Sequence, residues 1–385
     1  MTGSPRSAMS PPGGAGRFGA FDHPARLERL RVALDDAGPD GTPVDALVLT
    51  KAAHQQYLVG FTGSSGWLLV DRERALLVTD GRYRDQAEAQ LSAAAVTCEL
   101  EISTEVDKVL GPAVAGGARV GLEAASVSWA AQRRYASDWF GHAELVPTEG
   151  VLEALRAVKD EAEIARIAAA ADAADAGLEA VLARLVDGPT EAEFAFELEL
   201  AMRRAGADGV AFETIIASGP NAARPHVRPS SRRIGPGELV VIDFGAAIDS
   251  YRSDMTRTVC VGEPGPRERE LYDVVIAAQA AGVAAVRPGV EAVAIDAAAR
   301  EPIEARGWGD HFDHGTGHGL GLEIHEAPYV GRSSTATIVE SSVITVEPGV
   351  YFSGFGGVRI EDTVLVTASG CRALTRFPKQ LAPLT

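Results

Sequence analysis

The sequence predicts two domains, a smaller α/β domain followed by a larger α+β domain. Three observations carry this expectation. The chain has 385 residues, enough for two hydrophobic cores of ordinary size. Short apolar runs alternate with helical patterns up to about residue 150, as an α/β domain requires. Beyond that point helices and strand pairs arrive in separate blocks, which is α+β order. The expected divisions are a flexible tail over 1–21, the first domain over 22–155 and the second over 156–385.

Each element has its own signal. In the first domain "DALVLT", "GWLLVD", "ALLVTD", "ARVGLE" and "ELVPT" read as strands, and 24–37 and 128–139 as helices. From 156 the charged, alanine-rich run "RAVKDEAEIARIAAAADAADAGLEAVLARL" reads as one long helix. Thr190 and Glu193 in "PTEAEF" form a Thr-x-x-Glu capping box that starts the next. Strands "ELVVIDFGAAI" and "YRSDMTRTVCVG" follow, then helices over 266–285 and 291–306. A glycine loop running into a short strand, "LEIHE", precedes a last strand pair, "VITVEPGVYF" and "GGVRIEDTVLVT".

Composition narrows the function. Hydrophobic residues at 46% and charged residues at 23% are globular values. The net charge of −17 argues against a nucleic-acid surface. No apolar run approaches the roughly 20 residues of a membrane span. Residues 1–21 are rich in Gly, Pro and Ser and lack the apolar segment of a secretory signal. Cys98, Cys260 and Cys371 are few and odd in number, which suits a reducing, cytoplasmic compartment. Cys260, in the apolar "TVCVG", reads as a small core residue.

The chemistry concentrates in "HGTGHGLGLEIHE", residues 314–326. His314 and His318 are four apart, but Gly315, Gly317, Gly319 and Gly321 each cost a helix about 1 kcal/mol. The helical zinc motif, with its glutamate after the first histidine, is therefore excluded. So is a phosphate cradle, because no Gly-Lys-Ser/Thr ending opens a helix. Spacing alone leaves His314, His318 and His325 as equal candidates for a metal ligand.

Carboxylates supply the rest. A two-residue turn at Ile248-Asp249 would set Asp243 directly across from Asp254. Glu347 and Glu361 are symmetric about Gly354 in the turn "FSGFGG". Like charges facing across a ladder destabilise it. Carboxylates crowded in apolar strands must take up protons or find cations. Four carboxylates balance two divalent ions, with one neutral histidine as a fifth ligand. Oxygen-rich ligation with one imidazole suits manganese, with cobalt or zinc as alternatives. Two such ions can bridge and activate a water.

The order Asp243, Asp254, His318, Glu347, Glu361 resembles the pita-bread metallopeptidases: methionine aminopeptidase, Xaa-Pro aminopeptidase and prolidase. The carrying motifs are D-x10-D, "GTGHGLGLEIHE", "TVEPGVY" and "GVRIEDTVLVT", over about 156–370. Residues 22–150, with "DALVLTKAAHQQYLVGFTGSSGWLLV" and "LLVTDGRYRDQA", resemble the creatinase-type N-terminal domain of the Xaa-Pro members.

The resemblance implies a pita-bread catalytic domain and picks His318 as the imidazole ligand. His325 would steady the substrate carbonyl and oxyanion, His226 would stand near the scissile bond, and Glu347 would also shuttle a proton. His314 would line the pocket for the residue after that bond. Arg359 would either balance the acidic cluster or grip a substrate carboxylate. The implied partners are short peptides with proline in second position and a second copy of the chain. Because "FTGSSGWLLV" is closer to that branch, the expected activity is that of an Xaa-Pro aminopeptidase, with prolidase as the alternative. Methionine aminopeptidase would leave the N-terminal domain unexplained. A non-catalytic binding protein or a metal-free creatinase-like hydrolase on this scaffold would lack the five ligands.

Overall fold

Residues 15–381 and 383–384 are described by the computed structural model. Two compact units emerge: Ala20–Arg156, and Ala157–Thr385 with the segment up to Gly19. Residues 1–14 of the expected tail lie outside the described residues. The remainder of that tail departs from expectation. Helix α1 (Ala15–Phe18) is anchored: Phe18 packs on the core of the second unit, and Arg166 donates to the Phe18 and Gly19 carbonyls at 3.5 and 3.3 Å. An aromatic ring and two captured carbonyls outweigh the glycines around them.

The first unit is built on a six-stranded sheet. Helix α2 (His23–Ala33) is capped by Asp22, whose carboxylate accepts from Ala25 N. Strands β1 (Ala46–Leu49), β2 (Gly66–Asp71) and β3 (Ala75–Thr79) pair antiparallel in sequence. The others are β4 (Glu99–Ile102), β5 (Arg119–Glu123) and β6 (Glu144–Thr148), and the order is β4-β3-β2-β1-β5-β6. Helices α3 (Ala52–Val59), α4 (Arg84–Ala93) and α5 (Val106–Ala113) connect the strands and escape a reading by apolar period. In α3 the reason is plain: His54 and Gln55 are buried, bonded to Glu123 and to the Leu49 and Gly66 carbonyls. Polar letters on an inward face erase the pattern. The helix expected over 128–139 divides into α6 (Trp129–Arg134) and a π-helical turn, Tyr135–Trp139.

The long helix expected from 156 is also broken. After α7 (Val151–Ala157) the chain extends at Asp160, whose side chain and Glu163 form a capping box that starts α8 (Glu161–Val181). Thr190 and Glu193 form the expected box ahead of α9 (Glu191–Arg204).

Two helix pairs back the sheets of the second unit. Helices α8 and α9 share a core with strands β8 (Ile215–Ser218) and β9 (Leu239–Phe244); β7 (Gly209–Val210) precedes them. Strands β10 (Ala246–Ile248), β11 (Tyr251–Arg252) and β12 (Met255–Val261) complete the first hairpin. Helices α10 (Pro266–Ala285) and α11 (Ala292–Ala305) pack together over a second sheet of order β14-β13-β15-β18-β19. Its strands are β13 (Gly317–Gly319), β14 (Glu326–Val330), β15 (Val343–Val346), β18 (Asp362–Thr367) and β19 (Gly370–Ala373). A short ladder of β16 (Gly349–Phe352) and β17 (Gly356–Arg359) lies between β15 and β18 in sequence, and β20 (Pro383–Leu384) pairs with β12.

Two readings of register and loop need correction. The first hairpin turns at Asp249-Ser250, not Ile248-Asp249; both turn residues have positive φ, 48° and 70°. Such angles at both central positions are those of the type I′ turn that matches strand twist. The shift sets Asp243 across from Thr256, while Asp254 falls in the break between β11 and β12. The "glycine loop" is the other inversion: Gly317–Gly319 is a strand, and most of "LEIHE" bends until β14 begins at Glu326. Glycine is required here for proximity rather than looseness. A Cβ on Gly317 would sit 2.1 Å from the Thr345 carbonyl oxygen, and one on Gly319 would sit 2.3 Å from that of Ala327. The expected symmetry about Gly354 holds, with Gly349 facing Arg359 and Phe352 facing Gly356.

Candidate metal centre

Five segments deliver the five expected ligands to one place. Asp243 comes from the end of β9, Asp254 from the break before β12, His318 from β13, Glu347 from just past β15 and Glu361 from between β17 and β18. Ligand oxygens of Asp243, Asp254 and Glu361 lie within 4.8 Å of one another, all three residues buried. His318 Nε2 joins this group to Glu347, at 3.2 Å from its Oε1 and 3.7 Å from Asp254 Oδ2.

Backbone and hydroxyl bonds hold Glu361, Glu347 and His318. The hairpins are stitched where Glu361 N donates to the Thr256 carbonyl at 3.1 Å and Thr258 Oγ1 donates to the Arg359 carbonyl at 2.8 Å. Thr256 Oγ1 donates to Glu361 Oε2 at 2.7 Å. Glu347 N donates to the Thr316 carbonyl at 2.7 Å, and Thr345 Oγ1 donates to Glu347 Oε1 at 3.0 Å. His318 Nδ1 donates to the Gly319 carbonyl at 3.0 Å, which turns Nε2 towards the carboxylates. Among these supports Thr256 and Thr345 carry no signal in the sequence beyond their place beside ligands.

The electrostatics are those of a cation site. Burial, then the charges of Glu361, Asp243 and Glu347, drives Asp254 well above the usual carboxylate range. Burial and the charges of Glu347 and Asp243 do the same to Glu361. Asp243 is raised by burial, with Arg359 opposing. For Glu347, burial is outweighed by the hydrogen bond and charge of His318, which bring it down to about 2. His318 is raised in turn: burial opposes, and Glu347 prevails. Asp243 Oδ1 and Glu361 Oε1 are buried with no hydrogen-bond partner. Such oxygens, crowded with two further carboxylates and one imidazole, fit a hard or borderline divalent ion.

The remaining expected residues line the same cavity, of about 990 Å³: His226, His314, His325 and Arg359. The His325 ring centroid is 4.3 Å from that of His318. Burial, followed by the charge of His318, lowers the pKa of His325. Arg359 is 3% exposed, and each of its three nitrogens donates within the protein. Nε donates to Thr256 Oγ1 at 3.1 Å, Nη1 to Tyr351 Oη at 2.8 Å, and Nη2 to Asp243 Oδ2 at 2.5 Å. His314 Nδ1 donates to the Gly315 carbonyl at 2.7 Å, and its Nε2 accepts from Tyr351 Oη at 3.0 Å. Tyr351 therefore links Arg359 to His314. It stands in "TVEPGVY", where nothing in the sequence marks it for a role.

Comparisons with known proteins identify the family and the fold. The model of metallopeptidase family M24 matches residues 165–368, and that of the creatinase/prolidase N-terminal domain matches 26–158. A Xaa-Pro dipeptidase of Pyrococcus furiosus is 36% identical over 360 residues, 92% of this chain and 99% of that protein. The solved Xaa-Pro dipeptidase from Bacillus anthracis superposes with a TM-score of 0.86 at 37% identity, covering 93% of this chain and 99% of the other. The X-Pro aminopeptidase of Thermotoga maritima has a TM-score of 0.79 at 34% identity, covering 92% and 99%. With that match, the pita-bread fold and the creatinase-type first domain are as expected, and the chain is a metallopeptidase of family M24.

Proposed function

We propose that the protein is a Xaa-Pro dipeptidase, a prolidase that uses two divalent ions. The observation that carries this reading is the convergence of Asp243, Asp254, His318, Glu347 and Glu361 in one cluster, with all but Glu347 buried. Relatives of 36% and 37% identity are named for dipeptide cleavage, which displaces the aminopeptidase expectation in favour of its alternative. Manganese is the proposed ion, because oxygen donors dominate the set. When bound, the ions supply Lewis acidity and an activated water.

The chain's own residues then have distinct tasks. Glu347, an ionised member of the cluster, would take up a proton from the attacking water and pass it to the proline nitrogen. His325, held towards neutrality by burial, donates to the developing oxyanion. His226 orients the scissile bond from the cavity wall, and His314 borders the proline side. Arg359 balances the acidic cluster, since its nitrogens already have partners. Proline lacks an amide hydrogen and has a fixed φ, so a dedicated pocket is useful.

The Thermotoga maritima neighbour supports a second reading, an aminopeptidase acting on longer peptides, and a cavity of about 990 Å³ has room for them. Turnover of Gly-Pro and Gly-Pro-Pro with Mn²⁺ decides. Cleavage of the dipeptide alone supports prolidase, and cleavage of both supports the aminopeptidase. Cleavage of neither rejects the two together. The three free cysteines favour the cytoplasm. The proposed homodimer is tested by light scattering.

A further inference from the structure

One buried carboxylate takes no part in the ligand cluster. Glu191, the first residue of α9, has 0% exposure. Its Oε1 accepts from Ser218 N and Ser218 Oγ, both at 2.8 Å, and from Asn221 Nδ2 at 3.0 Å. Its Oε2 accepts from Asn221 Nδ2 at 3.0 Å, Ser230 N at 3.1 Å and Ser230 Oγ at 2.6 Å. Ser218 and Ser230 are the two ends of a loop, so a single side chain clasps its neck. The backbone of α9 reinforces the grip: Glu191 N and Ala192 N donate to the Arg232 and Ser230 carbonyls, both at 3.0 Å.

The tip of that loop carries Pro225 and His226, which line the metal cavity. The Pro225 carbonyl accepts a long hydrogen bond, 3.4 Å, from Arg359 Nη1. His226 itself is exposed, so its position depends on how firmly the loop is held elsewhere. Burying a charge is costly unless its hydrogen bonds are complete. Here they are complete and converge on the two loop ends.

We propose that Glu191 is a positioning residue for the reaction: it fixes the loop that sets His226 against the substrate, and acts only through that imidazole. The proposal rests on the role given to His226 above. Glu191→Gln isolates it, because one carboxylate oxygen becomes an amide group facing the donors of Ser218 or Ser230. The test is a double-mutant cycle on the Mn²⁺-loaded enzyme with Gly-Pro: wild type, E191Q, H226A and the pair, with metal content measured for each. E191Q should lower kcat on the order of 10- to 100-fold with metal content unchanged. Added to H226A, it should cost no more than roughly twofold further. Wild-type kcat in E191Q overturns the proposal, as does a loss that persists in full on H226A. Wild-type kcat in H226A overturns the role of His226 and the proposal with it. If E191Q does not fold, Asn221→Ala removes one side-chain donor and should show a smaller loss with the same dependence on His226.

Discussion

Arg359 and Asp243 form a buried ion pair, Nη2 to Oδ2 at 2.5 Å, between β9, which carries Asp243 into the proposed metal cluster, and β17, which leads to Glu361. The guanidinium leaves one oxygen of Asp243, Oδ1, without a hydrogen-bond partner. It orients a ligand by occupying its other side.

Arg359→Lys keeps the charge but loses the fork that reaches Asp243, Tyr351 and Thr256 together. Metal affinity should fall on the order of 10- to 100-fold, as for other supporting partners of ligands. Competition with a chelator measures it. A selective rise in KM for dipeptides at unchanged affinity would instead show that Arg359 grips the substrate.

His318→Ala removes the imidazole bridging Asp254 and Glu347. Turnover of Gly-Pro should vanish, and titration should find one ion more weakly held. A variant with full activity would remove His318 from the ligand set.

The stability of the metal-stripped protein should depend on pH in an unusual sense. Asp254 and Glu361 lie well above their ordinary values of 3.8 and 4.5, chiefly through burial and then through the charges of the carboxylates around them. The folded chain therefore binds more protons than the unfolded one above those values. Their contribution is complete below the ordinary values and is lost as pH rises through the raised ones. Glu347, lowered to about 2, acts oppositely, its contribution being lost only as pH falls from 4.5 towards 2. Mn²⁺ should thus raise the melting temperature more at pH 7 than at pH 5. Equal shifts would count against buried, proton-holding ligands.

Gly317→Ala would press a methyl group against the Thr345 carbonyl oxygen, 2.1 Å away before relaxation. Overpacking of this kind costs about 1–3 kcal/mol. Denaturant unfolding should show the loss, with a parallel loss of metal because His318 is the next residue. Unchanged stability would mean that the strands are not so close.

Asp296→Ala should be more severe. Asp296 pairs with Arg300 at 2.6 Å within α11 and accepts from Thr316 N and Oγ1 at 3.1 and 2.8 Å. Breaking a buried pair costs roughly 3–5 kcal/mol, because the partner charge is left uncompensated. Calorimetry should find a lower melting temperature, and chelator competition a weaker site.

Much of the site was legible because acids in apolar strands demand an explanation. Glu347 and Glu361 were placed by symmetry about Gly354, and that register is observed. A turn at Ile248-Asp249 pairs Asp243 with Asp254, whereas the observed turn is at Asp249-Ser250. Asp249 and Ser250 carry no glycine to announce positive φ, so the correct turn was hidden. The strand at Gly317–Gly319 was missed because its glycines answer to neighbouring backbone, which local sequence does not encode. Glu191 was seen only as part of a helix start. Its partners Ser218, Asn221 and Ser230 lie 27, 30 and 39 residues away.

The order of the ligands along the chain bears on its synthesis. Glu361 comes after every other expected donor, and it is held by Thr256, from a strand made more than a hundred residues earlier. A nascent chain therefore carries an incomplete set of these donors until residue 361 has left the ribosome. On the proposed ligand set, the two hairpins of the second unit must both have emerged and paired before the centre can form.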